Sequence, residues 1–123
     1  MARYEFTMVS DQMILGLTEA GATANEIKAY IVLVRGLPMD RSKSQCWMHA
    51  DMAQEKIGMD AHTFSKALRS LCNKTVSVTG GKRVPVITKL TRACKGHSPH
   101  YEDTLGVAIA RGTYPPSADE MGT

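Results

Sequence analysis

The chain has 123 residues, of which 43% are apolar, and its formal net charge is +3. A chain of this length predicts one domain with its own hydrophobic core. No apolar run approaches the roughly 20 residues of a membrane span, the N-terminus lacks the apolar stretch of a signal peptide, and three cysteines, an odd number, argue against a secreted disulfide framework. We therefore expect a cytoplasmic protein without membrane partners.

The first helix is predicted between an extended segment and a glycine. Tyr4 to Val9 alternates as a short strand or extended arm does, and Ser10 or Asp11 can cap a helix that continues to about Glu19. Gly21-Ala22 ends this helix. Its predicted buried residues are Met13, Ile14 and Leu17.

A second helix is predicted from Thr23. Thr23 and Glu26 stand at the spacing of a capping box, in which each side chain accepts from the other's free backbone N–H. Gly36-Leu37-Pro38 ends the element. Four apolar residues at helical spacing predict its buried stripe: Ile27, Tyr30, Ile31 and Val34. We interpret this helix as part of the core, because nothing in it suggests chemistry.

The next segment, residues 39–57, predicts a loop, a strand and a third helix. The loop covers Met39 to Gln45, and Cys46-Trp47-Met48 is predicted to form a short strand that pairs with the wing further along the chain. His49 to Ile57 follows as the first helix of a helix–turn–helix unit, whose turn is Gly58-Met59.

The segment from Gly58 to Leu71 carries the strongest functional signal. Asp60 stands at the N-cap position of a helix, where its carboxylate can accept from the free N–H groups of the first turn. Residues spaced i, i+3, i+4 and i+7 predict a buried face formed by Phe64, Ala67, Leu68 and Leu71. The opposite face is polar and cationic without an acid, and it carries His62, Thr63, Ser65, Lys66 and Arg69. Such a face suits a helix that lies in the major groove of DNA.

This turn and helix resemble those of helix-turn-helix proteins, in the winged form found in bacterial regulators and in phage and plasmid replication proteins. The resemblance implies that the helix, about residues 60–72, enters the major groove with its N-terminus first. By position it assigns groove-facing roles to Ala61, His62, Thr63, Lys66 and Arg69. One position departs from the family, because Gln54 stands where a small residue is usual, with Ala53 beside it.

The residues after this helix predict a wing. Cys72 to Val78 passes from a helix end into a strand, and the glycine turn Thr79 to Arg83 leads to a second strand, Val84 to Thr91. Arg92 to Pro99 forms a second turn, and His100 to Leu105 is the predicted return strand. Both turns are basic, so either hairpin can be the DNA-contacting wing. The expected fold is therefore mainly α with a small antiparallel β wing, a winged helix-turn-helix over residues 23–105.

Basic charge is concentrated in the same region. Residues 61–101 contain eight lysines and arginines and no acid, whereas the segments on either side are both net negative. A solvated basic face is one interpretation, but so long a segment without acids favours a polyanion-binding surface. The predicted DNA-contacting residues are Ala61, His62, Thr63, Ser65, Lys66, Arg69, Lys74, Lys82, Arg83, Lys89, Arg92 and Lys95.

The two ends of the chain are predicted to lie outside this unit. Residues 1–22 form an N-terminal arm and helix, and residues 106–123 form a C-terminal tail that we expect to be flexible. The tail begins with an apolar patch, Gly106 to Ala110, which is predicted to extend a strand or to pack against a second subunit. A homodimer that reads two half-sites is the expected assembly.

A zinc site is the alternative interpretation of the cysteines and histidines. Tetrahedral zinc needs four N or S ligands, which two pairing strands would bring together from Cys46, His49, Cys94, His97 and His100. Otherwise these are strand, helix and loop residues, and we expect no metal or cofactor. Catalysis is not expected, because Cys94 and the nearby histidines lack an oxyanion hole and an orienting group.

The expected function is binding of double-stranded DNA, of the transcriptional-regulator type, with the basic wing along the backbone. The DNA-binding domain of a replication initiation protein is the second possibility, because the arm and helix before Thr23 resemble the N-terminal domains of phage and plasmid initiators. A winged-helix protein-interaction module, whose basic face binds an acidic partner, is the third.

Overall fold

The computed structural model describes residues 9–35, 45–47, 57–90 and 100–116. The helices in these ranges are α1 (Asp11–Ala20), α2 (Ala24–Arg35), α3 (Ala61–Leu71) and α4 (Thr104–Ala110). The strands are β1 (Gln45–Trp47), β2 (Thr75–Val78), β3 (Lys82–Pro85), β4 (Thr88–Lys89) and β5 (His100–Glu102). The strands form two small antiparallel sheets. The predicted combination of helices with a small antiparallel sheet is confirmed.

Helix α1 begins and ends where its sequence predicts. The Ser10 hydroxyl accepts from the Met13 N–H at 3.2 Å. Gly21 ends the helix with a φ of 74°, a left-handed conformation that favours glycine. Met13 and Leu17 are buried as predicted.

The prediction that Ile14 lies in the core is wrong, since this residue is 53% exposed. The buried face of α1 includes Gly16, where a Cβ would lie 2.7 Å from the methyl groups of Leu105 on α4. Ile14 lies about 200° from Gly16 around the helix and therefore faces solvent. The contact between α1 and α4 thus determines how α1 is rotated.

The capping box at the start of α2 is confirmed. The Thr23 N–H donates to Glu26 Oε1 at 2.8 Å, and the Glu26 N–H donates to Thr23 Oγ1 at 3.3 Å. The prediction for Ile27 is wrong, because this residue is 36% exposed, and Ile31 is only partly buried. The buried stripe instead starts at Glu26 and continues with Ala29, Tyr30, Leu33 and Val34. A charged residue can begin this stripe because Lys74 neutralises it.

Helix α3 has the start and the buried face that the sequence predicts. Gly58 has a φ of 69°, and the Asp60 carboxylate accepts from the Thr63 N–H at 2.8 Å as the N-cap. The four predicted core residues are at most 5% exposed: Phe64, Ala67, Leu68 and Leu71. Because α3 packs against α2, its opposite face is left to solvent.

A β-hairpin follows α3. Strands β2 and β3 pair antiparallel, and the turn between them contains Gly80 and Gly81 with φ of 91° and 72°, which confirms the predicted glycine turn. The single strand predicted over 84–91 is wrong, because β3 ends before two fully buried residues, Val86 and Ile87. The Val86 N–H donates to the Lys74 carbonyl at 2.8 Å, so the chain turns inward here and resumes as β4.

The second sheet has the strand order β1-β5-β4. The strand predicted at Cys46-Trp47-Met48 is observed at Gln45–Trp47, and it pairs antiparallel with β5. Strand β4 pairs with the other edge of β5, so β4 and β5 form a hairpin. Tyr101 of β5 is 3% exposed and joins the core.

The described C-terminal residues, 100–116, correct the predicted flexible tail in its first part. The return strand ends at Glu102, and Asp103 caps α4 by accepting from the Gly106 N–H at 2.9 Å. Helix α4 packs against α1, and Leu105, Val107 and Ala108 are buried, so most of this patch belongs to the core of the chain. Tyr114, further along, is 3% exposed. A short apolar run fits a strand as well as a buried helix, and only packing decides between them.

Several predicted elements lie outside the described residues. They are most of the arm at 4–9, the loop near 36–44, the turn at 92–99 and the end of the C-terminal tail at 117–123. The helix predicted at 49–57 also lies outside them, except for Ile57, which is helical. Among the four described helices, none has the length and hydrophobicity of a transmembrane span.

Candidate nucleic-acid interface

The solvent face of α3 brings together the polar side chains selected from the sequence. Ala61, His62, Ser65, Lys66 and Arg69 are exposed, and Thr63 is half-buried. Lys66 and Arg69 are three residues apart, so they are neighbours on one helix face. Neither side chain is held by an ion pair or a hydrogen bond to another residue of the described ranges. No described residue therefore neutralises their charges.

Asp60 is the acid at the N-terminus of α3. Its carboxylate accepts from the Thr63 backbone N–H at 2.8 Å and from the Thr63 hydroxyl at 3.1 Å. These hydrogen bonds, the backbone one foremost, lower the pKa of Asp60. Asp60 is therefore ionised at neutral pH and serves as the helix cap.

A groove of about 480 Å³ lies between the start of α2 and the exposed face of α3. Its lining residues are Thr23, Asn25 and Glu26 of α2, and His62, Thr63, Lys66, Ala67 and Ser70 of α3. Sequence reasoning did not select Thr23, Asn25 or Ser70 as functional, because only the packing of two helices brings them beside Lys66. The capping box, which determines where α2 begins, was the one available signal.

Glu26 is the acid that lines this groove, and its charge is neutralised. The Lys74 ammonium forms an ion pair with Glu26 Oε1 and donates to the Gly21 carbonyl at 3.1 Å. Burial raises the pKa of Glu26, but hydrogen bonds from Lys74, from the Ser70 side chain and from the Thr23 N–H outweigh it and lower this pKa. Lys74, which we predicted to contact DNA, instead connects the end of α3 to the start of α2.

Arg83, which we also predicted to contact DNA, forms hydrogen bonds with its own hairpin. Its guanidinium lies along β2, where Nε donates to Thr75 Oγ1 at 2.9 Å, Nη1 donates to Ser77 Oγ at 2.8 Å and Nη2 donates to the Thr75 carbonyl at 3.2 Å. The residue is exposed, but its donors are directed at its own hairpin. Lys82, at the hairpin tip, is exposed. This hairpin packs on α1 and α4.

The β4–β5 hairpin lies near the C-terminal part of α3. Burial raises the pKa of Tyr101, and Cys72 and Arg69 are close enough to influence it, Cys72 upward and Arg69 downward. Lys89 of β4 is exposed. This sheet and the exposed face of α3 therefore belong to one region of the molecule.

Some predicted contacts and ligands lie outside the described residues. These are the DNA-contact candidates Arg92 and Lys95 and the zinc candidates His49, Cys94 and His97. Cys46 and His100 lie on the paired strands β1 and β5, where Cys46 is opposite Tyr101. Among the residues that the structure describes, no group of three or more His, Cys, Asp or Glu side chains could hold a metal ion.

Comparison with models of protein families, with curated proteins and with solved structures finds no significant match. Three features of the chain itself bear on its function. These are the cations on α3 that have no partner among the described residues, the groove beside them and the β4–β5 hairpin.

Proposed function

We propose that this chain binds double-stranded DNA as a winged helix-turn-helix protein, with α3 as the recognition helix. The observation that carries the proposal is the exposed face of α3, where Lys66 and Arg69 have no partner among the described residues. An acid-free cationic face complements the phosphate backbone, and an arginine can also read guanine in the major groove. Transcription regulation and replication initiation, the two roles considered above, both require this binding step.

The sheet topology supports β4–β5 as the wing. Strand β1 precedes α3 in the chain and pairs with β5, as we expected of the strand that leads into the helix-turn-helix. The proximity of Tyr101 to Arg69 favours this hairpin over β2–β3, whose Arg83 is engaged with its own strand. The sequence between β4 and β5 includes Arg92 and Lys95, which are suited to phosphate contacts.

Selection from a randomised duplex pool at two salt concentrations tests the proposal. We expect the wild type to enrich a motif and Lys66→Ala/Arg69→Ala to lose it, because a base-reading side chain contributes about 1–3 kcal/mol of discrimination. The matched control is Lys28→Ala/Arg111→Ala, which removes one lysine and one arginine from exposed positions outside α3. Equal loss of the motif in both double variants would contradict the assignment of α3 as the reading helix.

A further inference from the structure

The groove between α2 and α3 has two polar walls. One wall is the start of α2, with the Asn25 amide, and the other is the exposed face of α3, with the Lys66 ammonium. The Ser70 hydroxyl also lines the groove but donates to Glu26. Asn25 and Lys66 are exposed, so neither group is used by the core. The groove therefore offers hydrogen-bond donors from two different helices to one ligand.

The charge of the groove favours an anion. The lining acid, Glu26, is 6% exposed, and its carboxylate is paired with Lys74. Lys66 remains as the charged lining side chain without a partner in the described part of the chain. An anion in the groove would thus meet the positive charge of Lys66 and the neutral Asn25 amide, without an unpaired carboxylate among the described lining residues.

We propose that this groove holds one phosphate of the DNA backbone, between the Asn25 amide and the Lys66 ammonium. The inference rests on the proposed function and adds that α2 contacts the same duplex as α3. A phosphodiester has acceptor oxygens on several sides, so donors on two walls of a groove are complementary to it. Such contacts position a protein on DNA without reading sequence, so this phosphate determines how α3 enters the major groove.

The test adds a negative charge to the α2 wall. Asn25→Asp changes an exposed amide to a carboxylate of nearly the same shape at the second residue of α2. The matched control is Gln12→Glu, the same change of charge at the second residue of α1, which is exposed and does not line the groove. An acid in the first turn of a helix is favourable, so we expect both variants to fold. Thermal unfolding of each variant checks this.

We expect Asn25→Asp to bind the selected duplex at least about tenfold more weakly than Gln12→Glu, with the salt slope of binding reduced by about one. Methylphosphonate duplexes, each with one neutral backbone linkage, locate the contact. One linkage should weaken binding of the wild type and of Gln12→Glu, whereas Asn25→Asp should tolerate it, because its carboxylate no longer opposes a charged phosphate there.

Equal affinities of Asn25→Asp and Gln12→Glu, with the same methylphosphonate profile, would overturn the phosphate site while leaving DNA binding by α3 intact. A wild type that binds no duplex would instead overturn the proposed function, and the phosphate site with it. The two failures are therefore distinguishable.

Discussion

Gly106 lies where α4 begins, directly against the buried carboxylate that caps this helix. A Cβ at Gly106 would lie 2.1 Å from Asp103 Oδ2 and 2.7 Å from its Cγ, distances that real Cβ contacts do not show. Asp103 is fully buried, and its Oδ1 accepts from the Tyr30 hydroxyl at 2.7 Å and from the Gly106 N–H at 2.9 Å. Gly106→Ala must therefore displace the carboxylate that joins α2 to α4.

The expected loss is about 1.5–5 kcal/mol in the free energy of unfolding. Overpacking costs about 1–3 kcal/mol, and disturbing a hydrogen bond to a charged group costs about 1.5–3 kcal/mol. The higher helix propensity of alanine offsets about 1 kcal/mol of this cost. Urea denaturation followed by circular dichroism measures the loss.

A double-mutant cycle isolates the clash. In an Asp103→Ser background the cap remains but the oxygen that would meet the new Cβ is absent, because serine has one side-chain oxygen. There, Gly106→Ala should be neutral or stabilising by up to about 1 kcal/mol. The reasoning is refuted if Gly106→Ala costs the same in both backgrounds.

Three further predictions concern an ion pair, a tyrosine and an arginine. Lys74→Ala should lower the free energy of unfolding by about 1–3 kcal/mol, because Glu26 loses its charged donor. The loss, measured by urea denaturation, should decrease as the pH falls below about 4. A carboxylate whose pKa is lowered by folding stabilises the folded state above the pKa of the unfolded chain, and this stabilisation is lost as the group is protonated. A loss that persists in acid would contradict this cause. Tyr114 should lose its phenolic proton only at high pH, because burial and the hydrogen bond to the Glu19 carboxylate raise its pKa to about 12. Ultraviolet titration should show a phenolate step near that pH that Tyr114→Phe removes, and stability should decrease as the pH rises from about 10 through this value; an unchanged titration in the variant would exclude this assignment. Arg83→Ala should weaken duplex binding less than Arg69→Ala does, measured by fluorescence anisotropy, because the Arg83 guanidinium is held by its own hairpin. Equal losses of affinity would contradict the view that the β2–β3 hairpin does not contact DNA.

The features that the sequence predicted correctly depend on neighbouring residues. The buried face of α3 follows from apolar spacing, and its start follows from Asp60, whose carboxylate reaches an N–H three residues ahead. The Thr23–Glu26 capping box and the turn at Gly80-Gly81 are equally local. Such features depend only on residues close in sequence, so the sequence pattern alone can identify them.

The features that sequence reasoning missed depend on contacts between distant segments. Ile14 faces solvent because Leu105 packs against the other side of α1, and no pattern within α1 contains that information. Lys74 resembles the other basic residues in sequence, yet its partner Glu26 belongs to a different helix. The groove residue Asn25 was missed for the same reason, since only the packing of α2 on α3 makes it part of a site.

The most direct test of DNA binding is fluorescence anisotropy of a labelled random-sequence duplex, titrated with the wild type and with Lys66→Ala/Arg69→Ala over a range of salt. We predict that the wild type binds at about 50 mM salt, that log K falls linearly with log salt, and that the double variant has a slope smaller by up to about two. No binding by the wild type at about 50 mM salt, where non-specific phosphate contacts hold, would contradict the account and assign the cationic face of α3 to an acidic protein partner.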